Sequence, residues 1–161
     1  MKPRVVVSRC LGFEACRYNG KTVDSPEVDE LRIHVEFIPL CPEVDAGLGV
    51  PRNPINLQKR GDRVRVIQTG TGQDLTEELG SHLDETLRCF RDVDAFILKA
   101  RSPSCGLRST KVWDPKGENV VGQGSGAFAC EAQRRFPGSV FLDEEELSRI
   151  GVEGFLRLFE V

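Results

Sequence analysis

Six cysteines, Cys10, Cys16, Cys41, Cys89, Cys105 and Cys130, are the residues of this chain with the most chemical reach. Thiolates bind soft metals, form disulfides or attack electrophiles, and compartment and placement decide which. The first apolar run after Met1-Lys2-Pro3-Arg4 is broken by Ser8 and Arg9, which does not suit an export signal. A cytoplasmic location is therefore expected, where loop cysteines act as metal ligands or catalysts rather than as disulfides. Three of the six follow an apolar run within a few residues. Cys10 comes after Val5-Val6-Val7, Cys41 after a run ending at Leu40, and Cys105 after Phe96-Ile97-Leu98. Cys89 and Cys130 fall inside helical patterns and read as buried packing thiols. Cys16 shares a loop with Cys10, as a reserve ligand or a spectator.

The elements that hold these loops can be read from periodicity. Residues 4–8, 35–40 and 95–99 are short apolar runs suited to buried parallel strands. Residues 63–68 alternate charged and apolar side chains, as an edge strand does, and 111–113 and 140–142 are further short strands. Ser25 caps a helix with Pro26 at its first position. Asp74 and Glu77 read as a capping box opening a helix whose Leu75, Leu79, Leu83 and Leu87 form one buried stripe. Residues 47–54 and 114–117 are turn chemistry. Gly122-Gln123-Gly124-Ser125-Gly126 reads as a turn and cap before a helix carrying Phe128, Ala132 and Phe136 on one face. Asp143 and Glu146 form a second capping box, ahead of Leu147 and Ile150.

Strands alternating with helices predict an α/β fold: one domain over residues 1–161, with a mostly parallel Rossmann-like sheet flanked by helices. Ligands of such sheets bind beyond the carboxyl ends of the strands, where Cys10, Cys41 and Cys105 are expected to meet. From the residues alone, two readings stay open: six packing thiols, or three thiolates around zinc or an iron–sulfur group. A net charge of −3 points to no nucleic-acid partner, and 39% hydrophobic with 29% charged residues argues against disorder. No stretch approaches the ~20 apolar residues of a membrane span.

Five motifs carry a resemblance. They are Val7-Ser8-Arg9-Cys10-Leu11-Gly12, Arg17-Tyr18-Asn19-Gly20, Cys41-Pro42-Glu43-Val44, Gly47-Leu48-Gly49-Val50-Pro51-Arg52, and Leu98-Lys99-Ala100-Arg101-Ser102-Pro103-Ser104-Cys105-Gly106. Together they resemble the bacterial family called domain of unknown function 523, which includes the thiouracil desulfidases. The likeness runs from the first strand to the glycine-rich turn before Phe128. It departs at Leu11-Gly12-Phe13, where many members carry a second leucine before the glycine.

The resemblance implies a 4Fe–4S cluster held by Cys10, Cys41 and Cys105, with the fourth iron open to the sulfur of a thiolated pyrimidine. It also implies an acid–base role for Glu43 and an assisting role for Ser102, with Ser104 the less favoured choice. A sample prepared in air is expected to lose the cluster or take up zinc. Replacing C=S by C=O needs water, an electrophilic carbon and a sink for sulfide, but no net electron transfer. The absence of Gly-x-Gly-x-x-Gly after the first strand agrees with a reaction that needs neither nicotinamide nor flavin. Lys99, Arg101 and Arg17 read first as ion-pairing residues, and Tyr18 and Trp113 as aromatics able to stack on a base. The expected partner is a small thiolated base. The competing readings are a non-catalytic metal module and a thiol redox protein built on Cys10 and Cys16. Nothing in the sequence sets an oligomeric state.

Overall fold

The computed structural model of the protein describes residues 1–160. Four strands, β1 (Arg4–Ser8), β2 (Glu36–Leu40), β5 (Ala95–Leu98) and β8 (Val140–Asp143), form a wholly parallel sheet in the order β2-β1-β5-β8. Four others, β3 (Ile55–Arg60), β4 (Arg63–Gln68), β6 (Thr110–Trp113) and β7 (Val120–Gly124), form a mixed sheet in the order β4-β3-β6-β7. Five helices complete the described chain: α1 (Pro26–Leu31), α2 (Pro42–Asp45), α3 (Thr76–Arg88), α4 (Ala127–Arg135) and α5 (Glu144–Arg157). No helix among the described residues is long and apolar enough to cross a membrane.

The parallel sheet is the one expected from the sequence. Val5, Val6 and Val7 in β1 and all four residues of β5 are fully buried, because helices cover both faces. On one face Val5 and Val7 pack with Val28 and Leu31 of α1 and Leu147 and Phe155 of α5. On the other, Val6 and Phe96 pack with Leu83 and Leu87 of α3 and Phe128 and Ala132 of α4.

The second sheet departs from a one-sheet reading. It consists of two hairpins, β3–β4 and β6–β7, inserted into the connections that leave β2 and β5. Gly61, at φ 67°, supplies the left-handed residue of the tight β3–β4 turn. The hairpins join through a short parallel pairing of Leu57 with Val112 and Gln58 with Trp113. Ile55, Leu57, Val66 and Val112 then form their own core with Leu75 and Leu79.

Three local expectations are corrected. Asp74 does not cap α3 in a box with Glu77. Leu75 occupies the cap position, Asp74 accepts from the backbone N–H of Thr76, and Arg65 of β4 bridges both carboxylates at 2.8 and 2.7 Å. Of the turn expected over residues 122–126, residues 122–124 belong instead to β7, and only Gly126 caps α4. Cys89 and Cys130 are exposed, so neither is a packing thiol. Gly151 at φ 74° kinks α5.

The Arg65 bridge has a measurable signature. Its guanidinium, helped by the Thr76 hydroxyl and N–H, lowers the Asp74 pKa to about 2. A carboxylate depressed in the folded state adds stability above its unfolded pKa, and that stability is lost as pH falls through its folded value. The window therefore lies between about pH 4 and pH 2. Arg65→Gln is expected to return Asp74 toward the ordinary carboxylate range and to flatten acid unfolding in that window. Carboxyl NMR titration checks this, and an unchanged Asp74 titration would refute it.

Candidate active site

All four strands of the parallel sheet end on one edge, and β1 sits where the connections diverge, with β2 on one side and β5 on the other. Such a switch point leaves a crevice beyond the strand ends. Here it is a cavity of about 690 Å³, lined by Cys10, Cys16, Cys41 and Cys105 together with Glu43, Arg52, Ser102 and Ser104.

Each thiol is presented by a distinct local device. The loop after β1 leaves at Cys10 and returns at Val23, whose N–H donates to the Cys10 carbonyl at 2.7 Å. Cys41 is the N-cap of α2, with Pro42 preset for the first helical position and Glu43 one step behind it. Cys105 sits in a turn built by Ser102, whose Oγ accepts the N–H groups of Ser104 and Cys105 at 3.1 and 3.0 Å.

The start of α4 locks that last turn. The N–H groups of Gly126, Ala127 and Ala129 donate to the carbonyls of Gly106, Pro103 and Ser104. A Cβ on Gly126 would stand 2.4 Å from the Ser104 carbonyl carbon and 2.7 Å from the Cys105 nitrogen, which are backbone atoms with no rotamer to change. Gly126→Ala is therefore expected to cost about 1–3 kcal/mol, as overpacking does, and to lower metal uptake by moving Cys105. Denaturant midpoints and bound iron measure the two effects, and an unshifted midpoint would contradict the close approach.

Glu43 is buried, and each of its oxygens has a partner. Arg52 Nε donates to Oε1 at 3.0 Å and the Ser104 hydroxyl donates to Oε2 at 2.9 Å. The Arg52 and Glu43 side chains are only 4% and 10% exposed, so this is an interior ion pair. Arg52 Nη1 also donates to the carbonyls of Cys16 and Gly49, which ties the Cys10 loop to α2. Serine roles therefore divide. Ser104 touches Glu43, whereas Ser102 shapes the turn that presents Cys105.

Lys99 and Arg101 are in ion pairs, as expected, with Glu144 at 3.0 Å and Glu145 at 2.7 Å. Arg17 lies 5.9 Å from the ring of Tyr18, which is 41% exposed on the cavity lining. Trp113 lies in β6, away from that lining. Arg52, Glu144 and the burial of Cys16 are site features that sequence reasoning misses.

The donor set fits a thiolate-bound metal group. All described cysteines are free. Burial pushes the Cys105 thiol up to about 12, although Ser8 and Ser102 hydroxyls oppose the shift. Cys41 is also raised, chiefly by its contact with Cys16 and then by burial. A nucleophilic or redox cysteine requires the opposite shift, whereas a cation among buried thiols reverses the cost of ionising them. Among the described residues, no three His, Cys, Asp or Glu side chains converge tightly enough to hold a single ion. Cys10, Cys41 and Cys105 surround a common cavity instead.

Comparison with known proteins identifies the family. A family model described as 2-thiouracil desulfurase matches residues 5–145. The uncharacterized protein YbbK of Bacillus subtilis (strain 168) is 31% identical over 153 residues, covering 91% of this chain and 99% of YbbK. A solved structure of the 4Fe–4S-dependent thiouracil desulfidase TudS superposes with a TM-score of 0.76 at 27% identity. That match covers 98% of this chain and 99% of the other. With the family model spanning most of its length, the chain belongs to the 2-thiouracil desulfurase family.

Proposed function

We propose that this protein hydrolyses thiolated pyrimidines of the 2-thiouracil or 4-thiouracil type, giving uracil and sulfide. Family membership and the likeness to a 4Fe–4S-dependent desulfidase support the reading. The observation that carries it is a buried, doubly held carboxylate, Glu43, lining the same cavity as Cys10, Cys41 and Cys105. A structural metal site needs no such group, and a hydrolytic site does.

A 4Fe–4S cluster on Cys10, Cys41 and Cys105 would supply an open iron, as Lewis acid for the thiocarbonyl sulfur and acceptor for sulfide. The protein's side chains do the proton work. Arg52 and Ser104 fix the Glu43 carboxylate but leave each oxygen a further lone pair. Glu43 takes a proton from the attacking water and returns it to the departing sulfur or a ring nitrogen. Ser102 donates its hydroxyl proton to a ring oxygen or to the charge that develops there. One water is consumed, one sulfide leaves, and no electrons are transferred.

Anaerobic reconstitution tests the assignment. Iron and acid-labile sulfide near four of each per chain, with sulfide released from 2-thiouracil or 4-thiouracil, is the expected result. A fully loaded protein that releases no sulfide from any thiolated base would leave a non-catalytic metal module in place of the enzyme.

A further inference from the structure

Cys16 is a buried thiol with no role in the mechanism above. It is 1% exposed, yet it belongs to none of the three apolar clusters of the described residues. A cysteine serving as a small hydrophobe sits among hydrocarbon. Cys16 sits among thiols: it lines the same cavity as Cys10, Cys41 and Cys105. Its backbone is held in place as well. The Cys41 thiol reaches the Cys16 carbonyl at 3.8 Å, and Arg52 donates to the same carbonyl at 3.0 Å. The guanidinium that orients Glu43 therefore also fixes the segment bearing this fourth sulfur.

Three loops thus bring four thiols to one cavity, while the proposed cluster takes only three. We propose that Cys16 is a fourth, exchangeable thiolate ligand, which occupies the remaining iron when no substrate is bound and yields it to an incoming sulfur. The proposal rests on the cluster assignment made under the proposed function. The exchange breaks one iron–sulfur bond and forms another. The departing thiolate takes up one proton from water, and no electron moves. A soft, tethered sulfur is the natural occupant of a site that must later accept a substrate's sulfur, because like ligands exchange at little net cost. With that position filled, the cluster gives oxygen no open iron to attack.

Both consequences can be read without thiouracil turnover. Wild type, Cys16→Ala and Cys16→Ser are reconstituted anaerobically and analysed for iron. Visible absorbance is then followed in air and on titration with inorganic sulfide. Cys16→Ala is expected to keep its iron, because three ligands remain, and to bleach several-fold faster than wild type. A thiolate bound about nine-tenths of the time weakens a competing ligand about tenfold, so Cys16→Ala should bind sulfide about tenfold more tightly. Cys16→Ser keeps size and hydrogen bonding, and is expected to resemble the alanine variant in both readouts while keeping wild-type folding stability.

Equal bleaching rates and sulfide affinities in wild type and either variant would overturn the proposal. They would leave the desulfidase reading intact, since that reading requires only the other three cysteines. A variant that loses its iron while remaining folded would show Cys16 to be an obligatory ligand, not an exchangeable one. A wild type that takes up no iron would overturn both readings.

Discussion

Reconstituted Glu43→Gln is expected to hold as much iron as wild type and to release sulfide from thiouracil about 10²–10⁴-fold more slowly. That loss corresponds to roughly 3–5 kcal/mol of transition-state stabilisation. The amide keeps the length and shape of the side chain and can still accept from Arg52. Its NH2 group faces the Ser104 hydroxyl, which can turn to accept. What disappears is the basicity that draws a proton from water. The buried Arg52 guanidinium also loses its counter-charge, so some folding stability is lost as well. Melting curves separate that effect from the chemical one. Ser102→Ala, which removes a donor but no carboxylate, is expected to slow turnover while retaining iron. Loss of iron from folded Glu43→Gln would make Glu43 a structural residue or a ligand, and would remove the proton-transfer mechanism.

The cysteines divide just as sharply. Cys10→Ala, Cys41→Ala and Cys105→Ala are each expected to abolish stable iron binding, because a cluster held through three thiolates does not survive on two. Cys89→Ala and Cys130→Ala are expected to leave iron content unchanged and to alter stability by no more than about 0.5 kcal/mol, as exposed substitutions do. Iron and sulfide per chain, read beside denaturant midpoints, test all five. If Cys89→Ala emptied the site as fully as Cys41→Ala, the division of the cysteines would be wrong.

The parallel sheet is legible in the sequence because its strands are apolar on both faces. Val5-Val6-Val7 and Ala95-Phe96-Ile97-Leu98 can hardly be anything but buried. The convergence of three cysteine loops then follows from the parallel topology. The mixed sheet is harder to see. In β3, Ile55 and Leu57 alternate with Asn56 and Gln58 directly after turn residues, and β7 is exposed and rich in glycine. Such strands are selected by their partners rather than by propensity. Arg52 escapes for a related reason. A charged residue in a Gly- and Pro-rich stretch reads as solvated, and only the folded chain brings Glu43 and two carbonyls around it. Cys89 and Cys130 mislead in the opposite direction, because a helix's apolar stripe does not determine where its other residues point. The capping box at Asp143 and Glu146 forms, because both partners are local. The pair at Asp74 and Glu77 does not, because Arg65 competes for both acids from another strand.

The seam between the two hairpins is the shortest strand-to-strand ladder among the described residues, two residue pairs against five between β1 and β2. Those hairpins grow from the connections that carry Cys41 and Cys105, so the seam buckles two walls of the cavity together. The ladder is backed by side chains, since Leu57 and Val66 of one hairpin share a core with Val112 of the other. Parting the seam would expose that core as well as break two residue pairs, so burial in the mixed sheet holds these two walls together while the parallel layer aims the sulfurs.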